Sequence, residues 1–214
     1  MKKTIQMKMH RFKKEDLLGL AFNRMNVLVV SAFFFMVGVS SGIFLERMML
    51  PATKESVIAH LLPYLETGTS DFSFPNPFGF SLVNNFVLLL ILFVVGLSVY
   101  LFPSVLLVLF FKGLTLGFSA CLIIGALSLE GVFFILLSVI PQNILLIPAF
   151  IFAASNCINY ALLRLAHKRK QSYPFRKNAN KAISFHLYCV SFIVPAAMIF
   201  VGCIIEGLIF FMIF

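Results

Sequence analysis

Charge is scarce in this sequence: of 214 residues only 12% are Asp, Glu, Lys or Arg, against 61% hydrophobic. So little polar surface cannot coat a soluble globule of this length, which excludes a water-soluble domain and makes lipid the solvent. Acidic residues are scarcer still, eight against seventeen Lys and Arg. The net charge of +9 would favour nucleic acid if the basic residues shared one folded face. They do not: seven precede the first apolar run (Lys2 to Arg24), seven lie between Arg164 and Lys181, and Arg47, Lys54 and Lys112 remain. Basic clusters flanking apolar runs are what the positive-inside bias produces, so no nucleic-acid partner is expected.

Catalytic machinery is also missing. His10, His60, His167 and His186 are scattered, no Ser, His and acid trio falls on neighbouring segments, and no phosphate-binding glycine loop occurs. Cys121, Cys157, Cys189 and Cys203 include no Cys-x-x-Cys pair and have no adjacent His, so they read as small core residues, with no metal and no cofactor expected. No internal repeat is apparent, which weakens an inverted-repeat transporter reading.

What is present is a series of apolar runs long enough to cross a hydrocarbon core of about 30 Å. The sequence predicts an all-α polytopic membrane bundle of about five transmembrane helices over residues 26–45, 82–101, 113–129, 144–163 and 187–214, forming one domain, 26–214, behind a basic segment 1–25. Phe12, Leu17, Leu18, Ala21 and Phe22 interleave with charges at helical spacing, predicting an interfacial helix beside anionic lipid. The segment 46–80 is expected outside, with an amphipathic helix on Val57, Ile58, Leu61 and Leu62 ended by Pro63, then a loop from Thr67 to Pro77. From 82 to 129 the only charge is Lys112. Pro103 and Ser104 favour a turn early in this stretch and Lys112 and Gly113 favour one nine residues later, with an interfacial segment satisfying both; Lys112 is expected to snorkel to the cytoplasmic side. Glu130 and Gly131 predict an outside turn. Residues 132–140 are too short to cross and are interrupted at Pro141, predicting a short re-entrant or broken helix before the fourth span. The cytoplasmic loop is 164–182. The last run exceeds the bilayer's need and should tilt or bend at Pro195. The topology places the N-terminus inside and the C-terminus outside.

Glu206 is a lone carboxylate in an apolar run, read either as a partner contact or ion relay, with Lys112 or a helix N-terminus opposite it, or as a group near the outer headgroups. Gln142 and Asn143 follow Pro141 and are expected to satisfy backbone groups freed there, or to form a substrate site. Asn84, Asn85, Asn156 and Asn159 are further in-membrane amides. Gly38 with Gly42, Gly113 with Gly117, and Ala149 with Ala153 are small-x-x-x-small pairs whose faces permit close helix approach, within the chain or between copies as a homo-oligomer.

Asn23-Arg24-Met25 before an apolar span, Phe111-Lys112-Gly113-Leu114-Thr115-Leu116-Gly117, Ile140-Pro141-Gln142-Asn143 with Ile147-Pro148-Ala149, and Ile205-Glu206-Gly207 occur in this order along nearly the whole chain. In order and spacing the sequence resembles the stage II sporulation protein M family. The broader family often carries a His-Gly pair after the proline and a Glu before the second Pro-Ala, where Gln142, Asn143 and Leu146 stand here; that departure speaks against ion handling. The resemblance implies a membrane scaffold, not an enzyme, that assembles and localises two peptidoglycan-degrading partners, stage II sporulation proteins D and P, at the sporulation septum and engulfing mother-cell membrane. The other reading carried forward is a small transporter or channel subunit built on the buried polar residues.

Overall fold

The computed structural model describes the backbone of residues 2–67, 77–98, 100–170 and 185–213, and the side chains of 25–59, 79–98, 100–129, 131–165 and 185–209. Within these the chain is all-helical, and five helices are long and apolar enough to cross a membrane: Met25–Arg47, Gly79–Leu97, Phe102–Leu129, Gly131–Leu165 and Phe185–Ile209. The loop expected from Thr67 to Pro77 and most of the basic connection 164–182 fall outside the described residues, as do the side chains of the basic segment.

Helix α1 runs over Lys2–Arg47, so the first span is the second half of a 46-residue helix. α2 (Pro51–Thr67) starts on a proline, whose missing N–H costs nothing in a first turn. It does not stop at Pro63 as expected. The carbonyl that Pro63 leaves without a donor belongs to Ala59, an exposed residue open to solvent.

α3 (Pro77–Leu97) ends before the expected residue 101, with the Ser98 amide donating to Val95 at 3.1 Å, and Tyr100 and Leu101 lie in a turn. α4 (Phe102–Phe134) begins at once, with Pro103 in its first turn. Of the two expected turns the structure therefore contains the first, and the third span is 102–129, not 113–129; Lys112 and Gly113 lie well inside the helix. The next reversal comes at Ser128, two residues before the expected Glu130, with φ 52° and ψ −122°. That the chain folds back there follows from Gly131: a Cβ on it would strike the carbonyl oxygen of Ile123, eight residues earlier and about 12 Å away in a straight helix.

Residues 132–140 belong to a broken helix, the second of the two forms expected, and not to a re-entrant one. They continue through a π-helical turn, Ile135–Val139, into α5 (Ile140–Lys170), giving one apolar helical stretch, Gly131–Leu165. The wide turn lets the Ile140 amide donate to Ile135, five residues back. This makes room for the Pro141 ring, which would otherwise press on the carbonyl four residues earlier. α6 (Phe185–Ser191) and α7 (Ile193–Ile213) meet at Phe192, so the last span bends three residues before Pro195. Pro195 cannot donate to the Ser191 carbonyl; Asn156 Nδ2 does so instead, at 3.0 Å.

Two packing units make the bundle. α5 is the centre of one, burying Ala149, Phe150, Ala153, Ala154 and Cys157 against Leu92 of α3 and Ile199 and Cys203 of α7. The other is the α1–α4 pair, which runs parallel: Gly38 and Gly42 lie on the carbonyls of Phe110 and Leu114, and Gly113 and Gly117 on those of Phe35 and Val39. A Cβ at any of the four would overlap backbone oxygen, so only glycine allows the Cα–H to carbonyl contacts that draw such helices together.

Gly38→Val is expected to destabilise the protein by about 1–3 kcal/mol through overpacking, measured by unfolding in detergent. Gly79→Ala, whose Cβ would meet nothing within 4 Å, should leave stability unchanged. Ser128 occupies a backbone region that favours glycine; Ser128→Gly should therefore raise stability by about 1 kcal/mol in the same assay.

Candidate functional site

Ser81 and Asn85 are four residues apart and so share one face of α3, turned into the bundle, where they are 8% and 4% exposed. Asn85 Nδ2 donates to the Ser81 carbonyl at 2.9 Å and to Ser81 Oγ at 3.2 Å, while its Oδ1 accepts from Lys112 Nζ at 3.2 Å. The Lys112 ammonium also sits 5.3 Å from the centre of the Phe150 ring. Lys112 therefore does not snorkel to the cytoplasmic side as expected. It is held inside because α3 offers it an oxygen and α5 an aromatic face.

From α7, Glu206 joins the same cluster. Ser81 Oγ donates to its Oε2, and Gln142, its amide oriented by these neighbours with nitrogen toward the carboxylate, donates to Oε2 at 2.6 Å and Oε1 at 3.2 Å. Cys203, three residues before Glu206 on α7, packs 3.8 Å from both Ser81 Oγ and Asn85 Nδ2. The result is a continuous chain of contacts from Lys112 through Asn85 and Ser81 to Glu206 and Gln142, joining α4, α3, α7 and α5. An ionised side chain in a bilayer costs about 2.5–3.5 kcal/mol on insertion scales; here the two charges are opposite in sign and linked by two neutral residues.

Of the residues singled out in the sequence, the structure thus brings together Lys112, Gln142 and Glu206. Asn143 is elsewhere: its Nδ2 turns back to the Val139 carbonyl at 2.8 Å, satisfying the backbone around the π turn that accommodates Pro141. Gly38, Gly42, Gly113 and Gly117 form the α1–α4 seam and take no part in the network. Ser81 escaped sequence reasoning, though a Ser and an Asn four apart in an apolar run are a legible signal. Glu46 was read as the start of the outer segment 46–80, yet it is 1% exposed, receives Cys121 Sγ at 3.1 Å, pairs with Lys54, and has Arg47 Nε at 3.9 Å. Its spacing of four from Gly42 and eight from Gly38 places it on the seam face of α1, which the sequence already shows.

The opposite end of the bundle is tied by backbone acceptors. Arg164 Nη1 donates to the Leu97 carbonyl at 2.8 Å, closing the C-terminus of α3, and Tyr188 Oη donates to Phe93 at 2.8 Å. Tyr188 is stacked between Phe93 and Tyr160, with ring centres 4.9 Å and 4.3 Å away.

Five apolar helices tied by buried polar side chains define a polytopic helical membrane protein. The family model described as stage II sporulation protein M matches residues 31–209, taking in the last four spans, all but the first six residues of the first span, and every member of the network. The chain belongs to that family, which makes it a sporulation-related membrane protein. No curated protein and no solved structure matches it.

Lys112→Met and Glu206→Gln should each destabilise the bundle in detergent unfolding. In the double variant the loss should be smaller than the sum by about 1–3 kcal/mol, because removing both charges leaves neither uncompensated. Strict additivity would show that the two ends of the network do not communicate.

Proposed function

We propose that this protein is a non-enzymatic membrane scaffold that assembles and localises peptidoglycan-degrading partners, stage II sporulation proteins D and P, at the septum during forespore engulfment. Membership of the family supports a role in sporulation. The observation that carries the scaffold reading is that Lys112, Gln142 and Glu206 are engaged across helix contacts through Ser81 and Asn85. A permeation path needs polar groups that turn toward water or cargo. Here they turn toward one another, and cross-linking four helices at membrane depth gives a fixed bundle on which other anchored proteins can be organised.

In this reading the N-terminus is cytoplasmic and the C-terminus outside, with fourteen of the seventeen basic residues kept on the cytoplasmic side. The segment 46–80, including α2, then lies outside, where the hydrolase domains act. The Glu46–Lys54 pair fixes the start of α2 against the α1–α4 seam, so whatever α2 presents is presented in a set direction.

Pull-down of the tagged chain in mild detergent from sporulating cells should recover both hydrolases. Lys112→Met should reduce that recovery several-fold while leaving the hydrolases' own activity intact. Failure to recover either hydrolase even after crosslinking would remove the scaffold reading. Ion or solute flux through reconstituted vesicles that disappears with Glu206→Gln would replace it with the transport reading.

A further inference from the structure

All three small-residue faces of the sequence are occupied within the chain. The glycines of α1 and α4 lie on each other's helices, and Ala149 and Ala153 are fully buried in α5. Association with another membrane helix must therefore use a different surface, and polar groups left facing lipid are where to look for it.

Asn84 is such a group. It is exposed on α3 and makes no hydrogen bond to any described residue, while its neighbour Asn85 points inward. It lies five residues inside the span Gly79–Leu97, about 7 Å along the axis from the span's start. Its side chain is too short to snorkel as a lysine does. Asn26 is also exposed, but at the very start of the first span, where headgroups are within reach. Of the hydroxyls exposed along the spans, Ser40, Thr115 and Ser119 all donate to carbonyls of their own helices, and Ser128 stands at the very end of its span. An amide facing hydrocarbon with neither donor nor acceptor engaged is unfavourable.

The residues around Asn84 supply the rest of a helix-pairing surface. Asn84, Val87, Ile91 and Val94 follow 3-4-3 spacing, and all are exposed. That is the spacing of a helix-pairing seam, with a single Asn among apolar knobs, a device that fixes register and the number of helices that assemble. We propose that two copies of this chain pair through this face of α3 about a two-fold axis along the membrane normal, with Asn84 opposite Asn84 of the second copy.

The amide itself selects the occupant. It carries one acceptor and two donors and is complementary to another amide. A second copy brings that amide to the same depth by symmetry. A helix of different sequence would have to supply a matching group independently. Pairing also doubles every docking surface of the scaffold.

The test uses the full chain alone, in two populations carrying donor and acceptor fluorophores at the N-terminus, mixed in phosphatidylethanolamine and phosphatidylglycerol vesicles over a range of protein-to-lipid ratios. Energy transfer should follow a monomer–dimer curve. Asn84→Val should weaken pairing about tenfold, the size expected of a reciprocal amide contact in lipid, and Asn84→Gln should restore most of it. Because Asn84 bonds no described residue, Asn84→Val should keep the wild-type unfolding midpoint, which separates lost pairing from lost folding. A chain that stays monomeric at every ratio, or an Asn84→Val variant that pairs as well as wild type, overturns the inference. So does transfer that falls when a hydrolase partner's membrane anchor is added in equal amount, since that anchor would then be the occupant of the face. A chain that pairs but captures neither hydrolase leaves this inference standing and removes the scaffold reading instead.

Discussion

A hydrocarbon solvent offers no hydrogen bonds, so a chain that crosses it five times must satisfy each polar group from within. Much of the architecture follows from that constraint. Prolines 141 and 195 each withhold an amide from the helix ladder. The first is absorbed by a π turn beside which Asn143 serves Val139, and the second by Asn156 reaching from α5 to Ser191. At the C-terminus of α3, Leu97 is served by Arg164, and further back Leu92 and Phe93 receive Cys157 and Tyr188. Each of these cross-helix bonds satisfies a carbonyl and also fixes the height of one helix against another. Dispersion between aliphatic side chains and lipid-like neighbours does that poorly, because it changes little with a slide of an ångström or two.

The charged pair extends the same logic. Lys112 and Glu206 stand on α4 and α7, linked by residues of α3 and assisted by α5. A buried network of opposite charges is weak evidence for stability, since apolar replacements of similar volume often serve as well. What it supplies is discrimination. A rotation of α3 that withdrew Asn85 would leave the ammonium without its oxygen, and one that withdrew Ser81 would leave the carboxylate short of a donor. Among the many ways five greasy cylinders can pack, this places a large penalty on all but one.

The apolar runs were legible because length and hydropathy are properties of single segments. The less legible features depend on pairs of segments. Pro63 and Pro141 read as helix ends because an isolated helix has no remedy for the lost bond; exposed Ala59 and the π turn before Pro141 supply the remedies. Lys112 read as a snorkelling residue because lipid is the default neighbour of a lone span. Only the approach of Asn85 and Phe150, 27 residues before it and 38 after it, makes an inward ammonium favourable. Glu46 was hidden by its position at a span's end, although its spacing from Gly38 and Gly42 aligned it with the seam. Lys112, Gln142 and Glu206 stood out as polar residues at depth, whereas their convergence needed the fold.

The run Phe111-Lys112-Gly113 shows how the two packing devices are joined. Adjacent residues on a helix point about 100° apart, so consecutive positions of α4 address different neighbours: Lys112 reaches α3 and α5, and Gly113 receives α1. The glycine works by lacking a side chain, which lets a backbone oxygen of α1 rest against α4. The lysine works by having a long one, which spans an ordinary interhelical distance to an amide. α4 is therefore the element through which the α1 seam and the polar core must agree in register. Its outer contacts support this role: Cys121 on α4 donates to Glu46 on α1, while Gly125 leaves space beside the Lys54 ammonium. A shift of α4 along its axis would break the glycine contacts and the Lys112 bond together, so the two units of the bundle cannot be adjusted independently.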